Sequence, residues 1–244
     1  MVTKDVWVYT NRIVNICFIE NEDKELIMVD AGMPKDHKII MADIQEKFNG
    51  RKPIAILLTH GHFDHVGSLA QLIAEWDIPV FSSKEEVPYL TGMKDYPKGK
   101  FSWKGLVAML SKTFPNHGIN IGKRLFPLPD NGSLPYLEGW EWFATPGHTP
   151  GHVSFYNKKT RVLIAGDAVV TVKQEALFAV LAQQYSLNGP PSYFTPDRKA
   201  AKDSIVQLLQ FPSEYCVTGH GPVIRGRDFI ESELKKLLKD YAAN

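Results

Sequence analysis

Apolar positions along the chain follow two periods. Over residues 6–9, 13–19 and 25–29, β-branched and aromatic residues run together as strands, and the polar run Asn21-Glu22-Asp23-Lys24 makes a turn between the second and third. Pro34 and Asp36 then open a helix whose apolar stripe is Ile39, Ile40, Ile44 and Phe48, with Gly50 at its end. Residues 54–58 form a continuous apolar run, which suits a strand covered on both faces. A helix over 66–76 and a strand over 78–81 follow. The second half repeats the grammar, with strands at 140–144, 153–156, 162–165 and 215–218 and helices at 197–209 and 227–241. The expectation is an α/β fold with a sheet-on-sheet core flanked by helices.

Two stretches fit this pattern poorly, at about 84–135 and 171–195. Long connections inside a compact domain are usually lids or binding loops. The first holds Trp103, Leu106, Val107 and Leu110 at helical spacing near Met93, Phe101, Met109 and Phe114. The second holds Leu177, Phe178, Leu181, Tyr185, Tyr193 and Phe194. An apolar lid for an acyl chain is one reading. Packing onto the core, or a homodimer contact, is the blander and favoured one.

The chain has 244 residues, so one large domain over 1–244 is as reasonable as two small ones. Lys plus Arg is 28 against 27 for Asp plus Glu, a balance that disfavours nucleic acid or an anionic membrane as partner. The two cysteines, Cys17 and Cys216, make no disulfide framework and no Cys-x-x-Cys pair, and no apolar run reaches membrane-spanning length. A cytoplasmic setting is expected.

Of the eight histidines, three fall in His60-Gly61-His62-Phe63-Asp64-His65, directly after a predicted buried strand and before a helix. In an extended segment His60 and His62 leave on the same side, while Asp64 and His65 come as the chain turns. Imidazole with carboxylate suits Zn(II). Four ligands this close crowd a single ion, so two ions and further ligands from distant sequence are implied. His148 in Thr145-Pro146-Gly147-His148-Thr149-Pro150-Gly151-His152, Asp167 in Gly166-Asp167 and His220 in Thr218-Gly219-His220 each follow a predicted strand and adjoin glycine. His37 and His117 lie outside any motif and are expected at the surface.

Taken in order, Val29-Asp30-Ala31-Gly32, the His60–His65 motif, Gly147–His152, Gly166-Asp167 and Gly219-His220 resemble the metallo-β-lactamase superfamily, over nearly the whole chain. The resemblance implies an αββα sandwich, two mixed β-sheets flanked by helices, with a binuclear metal site. By it, His60, His62 and His148 hold one metal, Asp64, His65 and His220 the other, and Asp167 bridges them. Asp30 supports the site from behind, Asp64 also serves as the catalytic base, and His152 packs or supports rather than ligates. Two Zn(II) ions, with Mn or Fe as substitutes, would lower the pKa of a shared water to about 7 and make hydroxide available for hydrolysis.

The complete set looks most like the glyoxalase II and acyl-homoserine lactonase branches. Those lactonases often carry a tyrosine where this chain has Val170, and Tyr185 or Tyr193 would be the substitutes. The leading expectation is hydrolysis of a small ester, lactone or thioester. The alternatives are a phosphodiesterase or RNA-processing nuclease of the same superfamily, and a metal-stabilised binding or sensing protein without turnover.

Overall fold

The computed structural model describes residues 1–99, 115–173 and 184–243, which fall into two compact units. Trp103, Leu106, Val107, Leu110, Phe101, Met109, Phe114, Leu177, Phe178 and Leu181 lie outside the described residues.

The first unit comprises Met1–Tyr96 and His117–Glu138. It begins as an antiparallel meander, β1 (Val6–Asn11), β2 (Val14–Glu20) and β3 (Leu26–Val29). Helix α1 (His37–Phe48) leads to β4 (Pro53–Leu57), α2 (Leu69–Trp76) to β5 (Val80–Ser82), and the short α3 (Val87–Leu90) precedes β6 (Leu125–Pro127). The six strands form one sheet in sequence order, with β3 to β6 parallel. Ile40, Ile44 and Phe48 of α1 and Leu69 and Leu72 of α2 pack with Phe18, Met28 and Ile56 of the sheet in one apolar core.

Two expectations need correction here. Ile39 is 45% exposed, because only positions four apart, Ile40, Ile44 and Phe48, share the inward face of α1. Helix α2 starts at Leu69 rather than at residue 66. The preceding residues spend their amides elsewhere: Gly67 N–H donates to Gly32 O and Ser68 N–H to Ala31 O, while Ala31 N–H donates to His65 O. These bonds tie the metal-motif loop to the turn after β3. Strand β6, within a stretch read from sequence as lid-like, extends the sheet beside β5.

The second unit contains the chain from Gly139 on. The second sheet also has six strands, in the order β14-β13-β10-β9-β8-β7. These are β7 (Ser133–Leu134), β8 (Leu137–Ala144), β9 (Val153–Asn157), β10 (Val162–Gly166), β13 (Tyr215–Thr218) and β14 (Ile224–Arg225). Strands β10 and β13 run parallel, while β9–β10, β8–β9 and β13–β14 pair antiparallel, so this sheet is mixed as well. A separate ribbon pairs β11 (Val170–Val172) with β12 (Tyr185–Asn188). Helices α4 (Arg198–Leu208) and α5 (Arg227–Ala243) supply Ile205, Leu208, Ile230 and Leu234 to a core with Leu163 and Cys216. Asp197 caps α4 by accepting from Ala200 N–H.

Candidate metal centre

In the first unit, the parallel strands deliver the motif. Val29 pairs with Leu57 and Leu57 with Phe81, so the carboxyl ends of β3, β4 and β5 open side by side. Such ends are where open α/β sheets hold ligands. Asp30 leaves β3 with φ +62°. Its carboxylate accepts from Thr59 N–H at 2.9 Å and from the Thr59 hydroxyl at 2.8 Å, and lies 2.8 Å from His65 Nδ1. Because the Thr59 hydroxyl gives its proton to Asp30, it accepts from His60 Nδ1 at 3.0 Å. Both imidazoles therefore carry their proton on Nδ1, which makes Nε2 the lone-pair nitrogen suited to a metal. The rings cluster, with centroids 4.1 Å apart for His60 and His65 and 4.8 Å for His60 and His62. His60 and His65 are buried, and Asp64 is half-buried.

In the second unit, Gly166 of β10 pairs with Thr218 of β13, so Asp167 and His220 emerge from neighbouring parallel ends. The turn between β8 and β9 brings His148 to them. That turn requires Gly147, whose φ is +129° and where a Cβ would run into the backbone of Ala201 in α4. His148 Nε2 lies 3.3 Å and His220 Nε2 3.4 Å from the same oxygen of Asp167, Oδ2. All three residues are buried.

His152 supports this set without offering it a nitrogen. Its Nε2 accepts from Asp167 N–H at 2.9 Å, and its Nδ1 lies 2.8 Å from Thr145 Oγ1. The Ser154 hydroxyl donates to Ala165 O, so it accepts from Thr145, and Thr145 in turn accepts from His152 Nδ1–H. The relay holds His152 in one tautomer.

Among the described residues, the His and Asp side chains that fall into groups able to hold a metal ion are His60, His62, Asp64 and His65 of the first unit and His148, Asp167 and His220 of the second. The donor set, neutral imidazoles with carboxylates, fits divalent cations. Both cysteines are free and buried, and burial pushes the Cys17 thiol up and the Cys216 thiol up to about 12, so neither is a ready thiolate.

The remaining sequence candidates stand elsewhere. His117 is exposed beside Asp95, and His37 is half-buried at the start of α1. Val170 is buried in β11. Tyr185 pairs opposite Val172, and its hydroxyl donates to Glu233 of α5 rather than to the strand-end loops. Sequence reasoning missed Thr59, Thr145, Glu86 and Tyr96. The first two carry a legible signal, a threonine at a strand end next to a histidine motif. The last two carry none.

The family profile of the metallo-beta-lactamase superfamily matches residues 9–220. The chain belongs to this superfamily. Within it, the chain is 45% identical over 238 residues to the Probable metallo-hydrolase YflN of Bacillus subtilis (strain 168), covering 96% of this chain and 90% of that one. It is 27% identical over 157 residues to Hydroxyacylglutathione hydrolase GloC of Haemophilus influenzae, covering 64% of this chain and 66% of that one. The solved structure of BLEG-1 B3 metallo-beta-lactamase, at 24% identity, superposes with a TM-score of 0.66 over 94% of this chain and 96% of that one, which shows the metallo-β-lactamase fold. As a member of this superfamily the protein is a metal-dependent hydrolase.

Proposed function

We propose that this metallo-hydrolase cleaves a small ester, lactone or thioester with a binuclear centre. In this reading His60, His62 and His148 hold one ion, Asp64, His65 and His220 hold the other, and Asp167 bridges. The observation that carries it is the convergence of two imidazole nitrogens, His148 Nε2 and His220 Nε2, on one oxygen of Asp167. A carboxylate shared between two ions would stand between their imidazole ligands in this way. Two Zn(II) ions, or Mn or Fe in their place, would supply Lewis acidity and a water acidified to a pKa of about 7. Asp64 takes the part of hydrogen-bonding the nucleophile and accepting its proton. Asp30 and Thr59 hold His65 and His60 in the tautomers that ligation requires. Val170 offers no hydroxyl to the substrate, so no side chain at that position protonates the leaving group.

The substrate class rests on charge and on kinship. A formal net charge of +1 supplies no field for a polyanion, and one relative is named as a hydrolase of an acylated glutathione. We assign a small-molecule substrate, with neither nucleic acid nor membrane as partner and with a homodimer compatible. Among the described residues no helix is long and apolar enough to cross a membrane. The two free, buried thiols support a cytoplasmic setting.

The test is metal-loaded protein assayed against lactones, thioesters, β-lactams and phosphodiesters, with His62→Ala as the blank. Turnover of an ester, lactone or thioester that vanishes in His62→Ala is expected. Equal turnover by metal-free protein or by His62→Ala overturns the mechanism, and preference for phosphodiesters overturns the substrate class.

A further inference from the structure

The segment after β5 buries a carboxylate and a phenol against the metal-motif loop. Glu86 is fully buried and Tyr96 is 4% exposed. The Tyr96 hydroxyl donates to Glu86 Oε2, and Gly61 N–H lies 3.0 Å from that same oxygen and 3.1 Å from the phenol oxygen. The Tyr96 ring stands at 66° to the His62 imidazole with centroids 4.6 Å apart, and Tyr89 stacks on it at 4.1 Å and 7°.

Gly61 is the residue between two histidines of the motif. Its amide lies in the His60–Gly61 peptide plane, which carries the His60 Cα, and its own Cα leads on to His62. A Cβ at Gly61 would come within 2.5 Å of the Tyr96 hydroxyl oxygen, so glycine here answers a close approach. Burying a carboxylate is costly, and an apolar side chain of similar volume would pack the same space at less cost. A carboxylate and a hydroxyl at this point therefore point to a use beyond packing.

We propose that Glu86 and Tyr96 are positioning residues of the metal centre. Together they clamp the Gly61 amide and brace the His62 ring, which sets the directions in which His60 and His62 present their ligand nitrogens. This rests on the binuclear reading above and adds to it the partners that hold the loop. Such outer partners typically govern metal affinity by about 10–100-fold.

The test uses the full chain with Zn(II) and Co(II) as probes, in the wild type and in Tyr96→Phe, Glu86→Leu and Glu86→Gln. Tyr96→Phe keeps the ring against His62 and removes only the hydroxyl, so it stands as the test even if Glu86→Leu fails to fold. We expect zinc affinity, measured by chelator competition, to fall about 10-fold or more in Tyr96→Phe and Glu86→Leu, with an altered Co(II) visible spectrum. Glu86→Gln keeps an acceptor for both donors and should stay within a few-fold of wild type. Unchanged affinity and spectrum in Tyr96→Phe overturn the proposal, even if its melting temperature falls. Glu86→Gln as weak as Glu86→Leu also overturns it, because the hydrogen bonds would then not be what matters. A wild-type chain that takes up neither metal overturns the binuclear reading itself and this proposal with it.

Discussion

Threonine recurs at the strand ends that carry the histidines, and in each case its hydroxyl does local work. Thr59 accepts from His60 Nδ1 while donating to Asp30, Thr145 accepts from His152, and the Thr218 hydroxyl donates to His220 O at 2.8 Å. A hydroxyl can accept one bond and donate another, so it passes a fixed direction from a backbone or carboxylate anchor to an imidazole. His152 is the clearest case, since both of its ring nitrogens are committed. We expect His152→Ala to leave the Asp167 N–H and the Thr145 hydroxyl buried with a partner lost, at a cost of about 1–3 kcal/mol each at most. Urea unfolding should record that loss, and bound metal measured by elemental analysis should fall with it. Wild-type stability and metal content in the variant would remove His152 from the supporting role.

Parallel strands decide which residues meet, because their carboxyl ends lie at one edge whatever the sequence distance between them. That rule brings Asp30 to His65 across 35 positions in the first unit and Asp167 to His220 in the second. The elements also need fastening away from the site. The hairpin β1–β2 does this for the start of α1: Arg12 binds Asp36 through Nε at 2.6 Å and Nη2 at 2.9 Å, and Asn11 Nδ2 donates to the same carboxylate. The Arg12 hydrogen bond, opposed in part by burial, holds the Asp36 carboxyl below the usual carboxylate range. A lowered folded pKa contributes stability that is complete above the unfolded value of about 3.9 and is lost as pH falls through the folded one. Arg12→Ala should therefore be less stable than wild type at neutral pH, with the difference shrinking below about pH 4. Thermal unfolding followed from pH 7 to pH 2.5 checks this, and a difference that persists undiminished at pH 2.5 contradicts it.

Each unit has its own helices and its own apolar core. Ions bound by the folded chain and not by the unfolded one stabilise it by about 2.7 kcal/mol at a free concentration 100 times the dissociation constant. For a chain of this size that is a rise of roughly 5–10 °C in Tm. Stripping the protein with a chelator should lower Tm by such an amount, and adding back Zn(II) should restore it. A Tm indifferent to chelation would count against metal held in the folded state.

Spacing along the chain was enough to reveal the strands and helices with strong periods and the His60–His65 motif, and the seven candidate ligands followed from resemblance to the superfamily. These signals are local: a run of β-branched residues, a stripe four residues apart, three histidines in six positions. Tertiary structure alone decided that α2 waits until Leu69, that β6 joins the first sheet, that Tyr185 turns to α5, and that Glu86 and Tyr96 seat the motif loop. None of these has a local pattern. Each depends on a hydrogen bond or a packing contact made by residues distant in sequence, and such partners are chosen only when strands take their places in a sheet.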